Sequence, residues 1–260
     1  MSTKMVNICN PMLEKQPDDH FHHLGITKSL TDIPQMYGDV KFICMGGSMT
    51  RLQNYAKTFA KEVGIKMSDN LSTTDRYVMY KTGQVLWVNH GIGAASLSII
   101  IVELIKLLYY AKAEDVIAIR LGTSGGVGAE PGTIILSSEA ISRPAIFDAE
   151  VYQQLYKVAV QLKIPVQIGK TLCTDDFYEG QARLDGAFCE YTEQQKFAFL
   201  NRLYNLGYEI SKWKAAVLCV TLLDRLKGDQ VLLTHNNINE FEMRIFKVVS
   251  TYIKQQLKLC

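Results

Sequence analysis

The sequence predicts an α/β fold in which helices flank a mixed, mainly parallel sheet, and two observations support this prediction. The chain has 260 residues, of which 48% are hydrophobic, and this is enough to bury a sizeable core. Short β-branched segments bounded by Gly, Asn or Pro alternate with longer helical patterns, and that alternation is typical of βαβ units. We therefore expect a single domain over residues 1–260.

Six segments combine apolar and β-branched residues with a boundary residue and are predicted as strands. They cover residues 40–46, 85–90, 115–121, 132–138, 166–172 and 215–223. In an open parallel sheet, ligands bind where the chain leaves the carboxyl ends of the strands. Functional residues are therefore expected just after these segments.

Three helical patterns accompany the strands. Residues 96–113 are apolar around most of the circumference, which predicts a helix buried against the sheet. Glu103 and Lys106 interrupt this segment and argue against a membrane span. Residues 149–162 carry an apolar stripe that ends before Pro165, and residues 239–260 form an amphipathic pattern.

Composition excludes several classes of partner and site. The net charge is +2, the pI is about 8.1, and the basic residues are scattered along the chain, so neither nucleic acid nor a membrane surface is expected to bind. The six cysteines show no CxxC pair or metal-ligand spacing, which favours buried free thiols in a reducing compartment. The first 23 residues show no signal-peptide pattern, so we expect a cytoplasmic protein that binds a small molecule.

The first polar loop follows strand 40–46 and has the sequence GGSMTR (46–51). Paired glycines let a ligand approach the backbone closely, and N–H groups at the start of a helix favour an anion. Arg51 adds a positive charge one turn later. The alternative is a tight turn with only a structural role.

The second loop begins at Arg120, which lies between Ile119 and Leu121 in an apolar strand. A buried guanidinium must meet an anionic ligand or an acidic side chain, because its burial alone is costly. Thr123 and Ser124 follow with two hydroxyl groups. An oxyanion site is one interpretation, and an internal salt bridge is the other.

The third loop covers residues 171–185 and carries Gln181 and Arg183 beside the aromatic pair Phe177 and Tyr178. On an extended backbone, residues two apart point to the same side. An amide both donates and accepts hydrogen bonds, whereas a guanidinium only donates. Together they can read a flat lactam edge against an aromatic wall, although a polar surface loop is the alternative.

These segments resemble the uridine phosphorylase branch of the nucleoside phosphorylase superfamily. The resemblance covers nearly the whole chain and includes HLGITKSL, GGSMTR, DRYVMYKTG, HGIGAASLSI, IRLGTSGGVGAEPGT and AAVLCVTLLDRLKGDQ. The block FYEGQARLDG (177–186) is the most specific, since it separates pyrimidine from purine phosphorylases, and a purine nucleoside phosphorylase is accordingly disfavoured. The resemblance implies a three-layer sandwich of the nucleoside phosphorylase type.

The resemblance also implies a reaction. Uridine and inorganic phosphate give uracil and ribose 1-phosphate, reversibly, in pyrimidine salvage and without a metal or organic cofactor. Two subunits complete each site in this family, which forms homodimers or hexamers built from dimers. Residues 1–30 would contribute to the shared site.

The residue roles implied by the resemblance fall into three groups. Phosphate is held by Gly47, Arg51, Arg120, Thr123 and, from the neighbouring subunit, Arg76. Uracil is bound by Phe177, Gln181, Arg183, Leu222 and Leu223. The ribose meets Thr123 and, from the neighbouring subunit, His23. The catalytic residues would be Arg120, Gln181 and Arg183.

Physical chemistry agrees with these roles. Breaking the N-glycosidic bond develops positive charge on the ribose and negative charge on the uracil. The phosphate-binding arginines would aim and neutralise the nucleophile, while Gln181 and Arg183 would stabilise the departing uracil. Removal of one such donor typically raises the barrier by about 3 kcal/mol.

One segment departs from the family pattern. After a glycine like Gly207, family members carry a strand with a Glu-Met-Glu sequence that contacts the ribose. Here Gly207 is followed by YEISKWK (208–214) and then by the strand that starts at Ala215. Glu209 is the one acid in this connector and could replace the ribose-binding carboxylate in part. A second, milder shortening is expected between strand 132–138 and helix 149–162.

Three explanations for the shortening stay open: a natural variant such as a splice product, a truncated paralogue, or stretches missing from a longer chain. Two functional hypotheses follow. The first is an active uridine phosphorylase. The second is a catalytically impaired homologue that binds uracil or phosphate, or that oligomerises with an active relative.

Overall fold

The computed structural model describes residues 4–6, 8, 10–141, 145–204 and 215–259. It divides into unit 1, which ends at Ile119, and unit 2, Arg120–Leu259. The connector 208–214, with Glu209, lies outside the described residues.

The described residues of unit 1 form five strands, three α-helices and two short 3₁₀ turns. The strands are β1 (His20–Phe21), β2 (Ile26–Thr27), β3 (Phe42–Gly46), β4 (Met79–Thr82) and β5 (Val85–Asn89). The helices are α1 (Ile33–Tyr37), α2 (Met49–Val63) and α3 (Ala94–Tyr110), and the 3₁₀ turns are Leu13–Lys15 and Lys28–Leu30. Strand β5 pairs in parallel with β3 and antiparallel with β4.

Helix α2 shows how local sequence sets the element bounds. The Ser48 hydroxyl accepts a hydrogen bond from the Arg51 N–H at 3.3 Å and caps the helix, as serine commonly does. The helix ends at Gly64, whose φ of 68° lies in the left-handed region, where glycine carries no steric cost. The buried face of α2 packs on β3, β4 and β5.

The core of unit 1 joins the amino-terminal residues to helix α3. Phe21, Leu24 and Ile26 are buried in one apolar cluster with residues of α1, α3 and the strands. The helix was predicted to be buried against the sheet, and its residues Ile100, Leu104 and Leu107 are indeed buried in one cluster with strand residues. Its apolar surface is not all buried, because Ile99 is 38% and Val102 is 56% exposed. The helix therefore buries one face and exposes an apolar stripe on another.

Two charged residues, Glu103 and Lys106, interrupt the apolar pattern of α3. One binds the N-terminal hairpin, residues 20–27, and the other binds the residue just before it. Glu103 accepts hydrogen bonds from His23 and Leu24. Lys106 donates to Asp19 at 2.8 Å and lies 4.8 Å from the centre of the Phe21 ring. The charges thus fix the hairpin on the helix.

In unit 2, the residues that the structure describes form five strands, three α-helices and a 3₁₀ turn, Glu179–Gln181. The strands are β6 (Ile117–Gly126, which begins in unit 1), β7 (Ile134–Ile141), β8 (Ala145–Ile146), β9 (Val166–Leu172) and β10 (Ala215–Asp224). The helices are α4 (Ala149–Gln161), α5 (Glu193–Tyr204) and α6 (His235–Leu257). Helix α4 contacts β7, β9 and β10 as well as α6, which also contacts β10.

Strand β7 organises the pairing in unit 2. It is antiparallel to β10 and β8 and parallel to β9. The α/β class and the mixed character of the sheet are therefore confirmed. Strand β9 has the predicted bounds, 166–172, whereas β6 continues to Gly126 and so takes in the segment that was predicted as a loop.

Two further expectations concern exposure. Cys44 and Cys219 are buried free thiols as predicted, but Cys189 is exposed. Burial raises the pKa of the Cys44 thiol well above its ordinary value. Among the helices that the structure describes, none is both long enough and apolar enough to cross a membrane.

Candidate active site

The predicted site residues divide between the two units. Unit 1 holds four of them: His23, Gly47, Arg51 and Arg76. Unit 2 holds the others: Arg120, Thr123, Phe177, Gln181, Arg183, Leu222 and Leu223.

The predicted phosphate loop joins β3 to α2. A methyl group on Gly47 would lie 3.2 Å from the Gly91 carbonyl oxygen, a tight contact that glycine avoids. Ser48 already uses the Arg51 N–H as the helix cap. The Arg51 side chain is half-buried in the first turn of α2. Anion binding here therefore depends on that side chain and on the N–H groups before Arg51.

The predicted trans-acting residues, His23 and Arg76, are joined by one hydroxyl group. The Thr74 hydroxyl donates to the His23 carbonyl and accepts from the Arg76 N–H at 3.4 Å. The Arg76 side chain is 72% exposed, and its Nε lies 3.7 Å from the exposed carboxylate of Asp75. The structure thus brings these two residues onto one exposed edge of unit 1.

The Arg120 side chain folds back over its own strand. Its Nη1 lies 3.4 Å from the Cys219 sulfur on β10. A methyl group on Gly122 would lie 2.6 Å from the same nitrogen, so glycine at this position makes room for the guanidinium. Thr123 lies within β6 rather than in a loop after it.

The base loop, residues 177–185, is not extended. Gln181 ends the 3₁₀ turn, and Ala182 follows in the left-handed region with a φ of 51°. The prediction that Gln181 and Arg183 point to one side because they stand two apart on an extended backbone is therefore wrong. A hydrogen-bonded turn, in which Gln181 and Arg183 both donate their N–H groups to the Tyr178 carbonyl, replaces the extended segment.

Arg183 is buried and held on several sides. Its Nε and Nη2 donate to the two carboxylate oxygens of Asp185 at 2.8 Å and 2.5 Å. Nη2 also donates to the Asp229 carbonyl at 2.7 Å. The guanidinium carbon lies 4.4 Å from the centre of the Phe177 ring, which gives a cation–π contact. Paired donors and an aromatic face therefore fix the plane of the guanidinium.

Asp229 is the centre of a buried ionic cluster beneath the base loop. Its carboxylate accepts hydrogen bonds from Lys196 at 2.9 Å, from Arg225 at 2.7 Å and from the Leu184 N–H at 2.8 Å. Burial favours the neutral acid, but these donors outweigh it and lower the pKa of Asp229. Arg225 also donates to the Gln181 carbonyl at 2.8 Å, so the cluster holds both ends of the turn.

Leu222 and Leu223 are consecutive residues of β10, and Leu223 is the more buried of the two. Side chains of consecutive strand residues point to opposite faces. Their side chains therefore face different sides of the sheet. Only one of the two can contact a given planar base.

The sequence reasoning did not identify Glu103, Asp229 and Arg225 as site residues. Each had a visible signal: Glu103 interrupts an apolar helix, and DRLKGDQ places charges directly after an apolar strand. Arg225 and Asp229 are four positions apart and bind each other, but their other partners could not be read from the sequence, because they lie far away along the chain. Glu103, for example, binds a residue 80 positions earlier.

The sequence matches the profile of the phosphorylase superfamily over residues 41–254. It is 44% identical to the uridine and thymidine phosphorylase of Caenorhabditis elegans, covering 93% of this chain and 92% of that protein. Identity to mouse uridine phosphorylase 2 is 38%, covering 99% and 92%. The structure of a uridine phosphorylase from the oomycete Phytophthora capsici matches with a TM-score of 0.92 and 38% identity, covering 99% and 100%.

One feature of these relatives bears on the predicted shortening. The alignment with the mouse protein extends over 294 positions, which is more than the 260 residues of this chain. The mouse protein therefore has residues inside the aligned region that this chain lacks. The matches nevertheless cover nearly the whole of both proteins, so the chain belongs to the phosphorylase superfamily and groups there with the uridine phosphorylases.

Proposed function

We propose that this chain catalyses the reversible phosphorolysis of uridine to uracil and ribose 1-phosphate, in pyrimidine salvage in the cytoplasm. The observation that carries the proposal is the base loop. It contains the block that distinguishes pyrimidine phosphorylases, and in it Arg183 is fixed against the Phe177 ring by Asp185 and Asp229. A donor fixed in this way needs little reorganisation when charge develops on a leaving group.

Uracil would be stabilised by donors that the base loop does not use itself. Within the part of the chain that the structure describes, the Nη1 group of Arg183 forms no hydrogen bond. Its N–H groups can donate to a uracil carbonyl oxygen while the ring of Phe177 contacts the nucleoside. The Gln181 amide can donate and accept on the lactam edge. As negative charge grows on uracil, these hydrogen bonds become charge-assisted and stronger.

Phosphate would be bound by three arginines. Arg51 and Arg120 come from the same subunit as the base loop, with Gly47 and Thr123, and Arg76 comes from the neighbouring subunit. Their charges neutralise the phosphate and direct one oxygen to the anomeric carbon on the face opposite uracil. Inorganic phosphate is the nucleophile, so the proposal needs no covalent enzyme intermediate, metal or organic cofactor.

The proposal includes a homodimer with shared sites, alone or as part of a hexamer. His23 and Arg76 lie on one exposed edge of unit 1, where they are available to a neighbouring subunit. Apolar residues are exposed on the same unit, namely Ile92, Ile99 and Val102, at 93%, 38% and 56%. A second copy of the chain that covers this stripe would bury it and bring the edge to the neighbouring site.

The test is an assay of the purified chain with uridine and phosphate, in which turnover is measured as the loss of uridine absorbance. Thymidine is tested as the second substrate. We expect phosphate-dependent turnover that Arg120→Ala lowers by roughly 10²-fold to 10³-fold. Arg202→Ala is the matched control, because Arg202 is an exposed arginine on α5, and it should retain full activity. An absence of turnover with either nucleoside would refute the proposal.

The second candidate is a homologue that binds uracil or phosphate without turnover. The observation in its favour is that the mouse relative has residues within the aligned region that this chain lacks. Calorimetric titration with uracil distinguishes the two candidates, because binding without turnover supports the second. Binding together with turnover supports the first.

A further inference from the structure

Glu103 is a carboxylate placed in an otherwise apolar stretch of α3, and its side chain is only 10% exposed. Its carboxylate is bound by three groups of the N-terminal hairpin. The His23 N–H donates at 3.0 Å, the Leu24 N–H at 3.0 Å, and His23 Nδ1 lies 2.8 Å from Oε1. Two of these donors are backbone N–H groups, which cannot act as acceptors. The site is therefore built for an ionised carboxylate.

An ionised carboxylate decides which nitrogen of the neutral His23 ring carries the proton. If Nδ1 were bare, its lone pair would face the Glu103 oxygen at 2.8 Å. With the proton on Nδ1, the same contact is a charge-assisted hydrogen bond. The neutral ring must then have a bare Nε2, which can only accept a hydrogen bond.

The hairpin is also held on its other side, which fixes the backbone next to His23. Thr73 donates its hydroxyl to the Gly25 carbonyl at 2.9 Å and its N–H to the Leu24 carbonyl at 3.0 Å. The ring of Tyr77 meets the His23 ring edge to face, with 6.5 Å between their centres. The imidazole side chain nevertheless stays 40% exposed. Its Nε2 forms no hydrogen bond within the described part of the chain.

We propose that Glu103 is a positioning residue that holds His23 with its proton on Nδ1, so that Nε2 accepts a hydrogen bond from a hydroxyl group of the substrate. This rests on the proposed function, in which His23 meets the ribose 5′-hydroxyl in the neighbouring site. The 5′-hydroxyl is then the donor and the imidazole is the acceptor. A substrate without this hydroxyl gains nothing from the arrangement.

The direct test observes the ring nitrogens of His23 by long-range proton–nitrogen NMR of the labelled wild-type chain at alkaline pH. We expect the proton on Nδ1 and a bare Nε2. In Glu103→Gln the single amide oxygen is needed to accept from the Leu24 and His23 N–H groups. The amide NH2 then faces Nδ1, and the ring should change to the tautomer with the proton on Nε2. A wild-type ring with the proton on Nε2 would overturn the proposal whether or not the chain turns over uridine.

A kinetic test separates positioning from a purely structural role. Glu103→Gln should raise the KM for uridine roughly threefold to tenfold, the worth of one hydrogen bond. The KM for 5′-deoxyuridine should not change, and neither should kcat for either substrate. His23→Ala should raise the KM for uridine within the same range, and the double variant should be no worse than either single one.

These results also separate a failure of the positioning role of Glu103 from a failure of the proposed function. Equal losses with uridine and 5′-deoxyuridine would mean that Glu103 acts only on the fold, and would overturn the positioning role. If uridine is not turned over at all, the proposed function fails, and the tautomer of the wild-type ring still decides the role of Glu103. If Glu103→Gln does not fold, the comparison of the two substrates in His23→Ala and the wild-type tautomer serve in its place.

Discussion

Two arginines with predicted roles in the same reaction lie in opposite surroundings. Arg183 in the base loop is 6% exposed and is bound by Asp185 and by the Asp229 carbonyl. The Arg76 side chain is 72% exposed, and its nearby carboxylate, that of Asp75, lies 3.7 Å away in solvent. An arginine that acts on a ligand of its own unit can be fixed in advance by its own chain. An arginine that acts in a neighbouring subunit must stay available until that subunit arrives.

The comparison extends to the way each region is anchored. Buried ionic groups stabilise the base loop from below, since Lys196 and Arg225 both bind Asp229. On the edge of unit 1, neutral hydroxyls of Thr73 and Thr74 hold the backbone, and the buried carboxylate of Glu103 binds it as well. Changes in the ionic cluster should therefore lower stability, whereas changes of the exposed Arg76 side chain should lower activity without lowering stability.

The largest expected effect on stability is that of Asp229→Asn. Loss of this carboxylate charge leaves two buried cations, Lys196 and Arg225, without their shared anion, and such losses typically cost about 3–5 kcal/mol in the free energy of unfolding. Chemical denaturation followed by circular dichroism measures it. Asp75→Asn is the matched control, because Asp75 is exposed, and should change the free energy of unfolding by less than about 0.5 kcal/mol. If the two variants lowered the free energy of unfolding equally, the buried ionic cluster would have no special role in stability.

Arg76→Ala should show the opposite pattern. We expect a fall in kcat/KM on the order of 10²-fold, because a donor to the phosphate is lost. The unfolding midpoint should not move, since the side chain is exposed. Steady-state kinetics and thermal denaturation of the same preparation measure both quantities. If Arg76→Ala kept full activity, Arg76 would not be a phosphate-binding residue.

A smaller effect is expected in the dependence of stability on pH. The folded pKa of Asp229 lies below its ordinary value, so its ionisation stabilises the fold at neutral pH, and this contribution is lost as the pH falls through the folded pKa. From about pH 5 downwards, through the ordinary pKa of 3.8, the wild-type chain should lose stability more steeply than Asp229→Asn, and above about pH 5 the two profiles should be parallel. Profiles from denaturant titrations that stay parallel below about pH 5 would contradict this.

The sequence predicted those parts of the fold in which local signals are strong. Strand 166–172 was found with its bounds because Pro165 precedes a compact segment. Strand β6 was ended too early, since LGTSGG resembles a loop locally and is held as strand by its neighbours in the sheet. Helix α5 was not predicted, because its apolar stripe is weak.

Prediction of the site had a similar limit. Motif blocks gave the identity of Arg120, Gln181 and Arg183, but not their conformation. The turn in the base loop depends on Arg225, which contacts the Gln181 carbonyl from 44 positions away. Contacts between distant residues leave no periodic pattern in a single sequence, so the ionic cluster could only be found in the structure.

The most direct test of the shared site mixes two inactive variants. Arg76→Ala lacks the donated arginine, and Arg120→Ala lacks the resident one, so a mixed dimer holds one site with both arginines intact. If the variants are unfolded together and refolded as a mixture, we expect recovery of about a quarter of wild-type activity, since half of the dimers are mixed and each has one intact site. Activity no greater than that of the separate variants would show that both arginines act within one subunit, and would overturn the shared site.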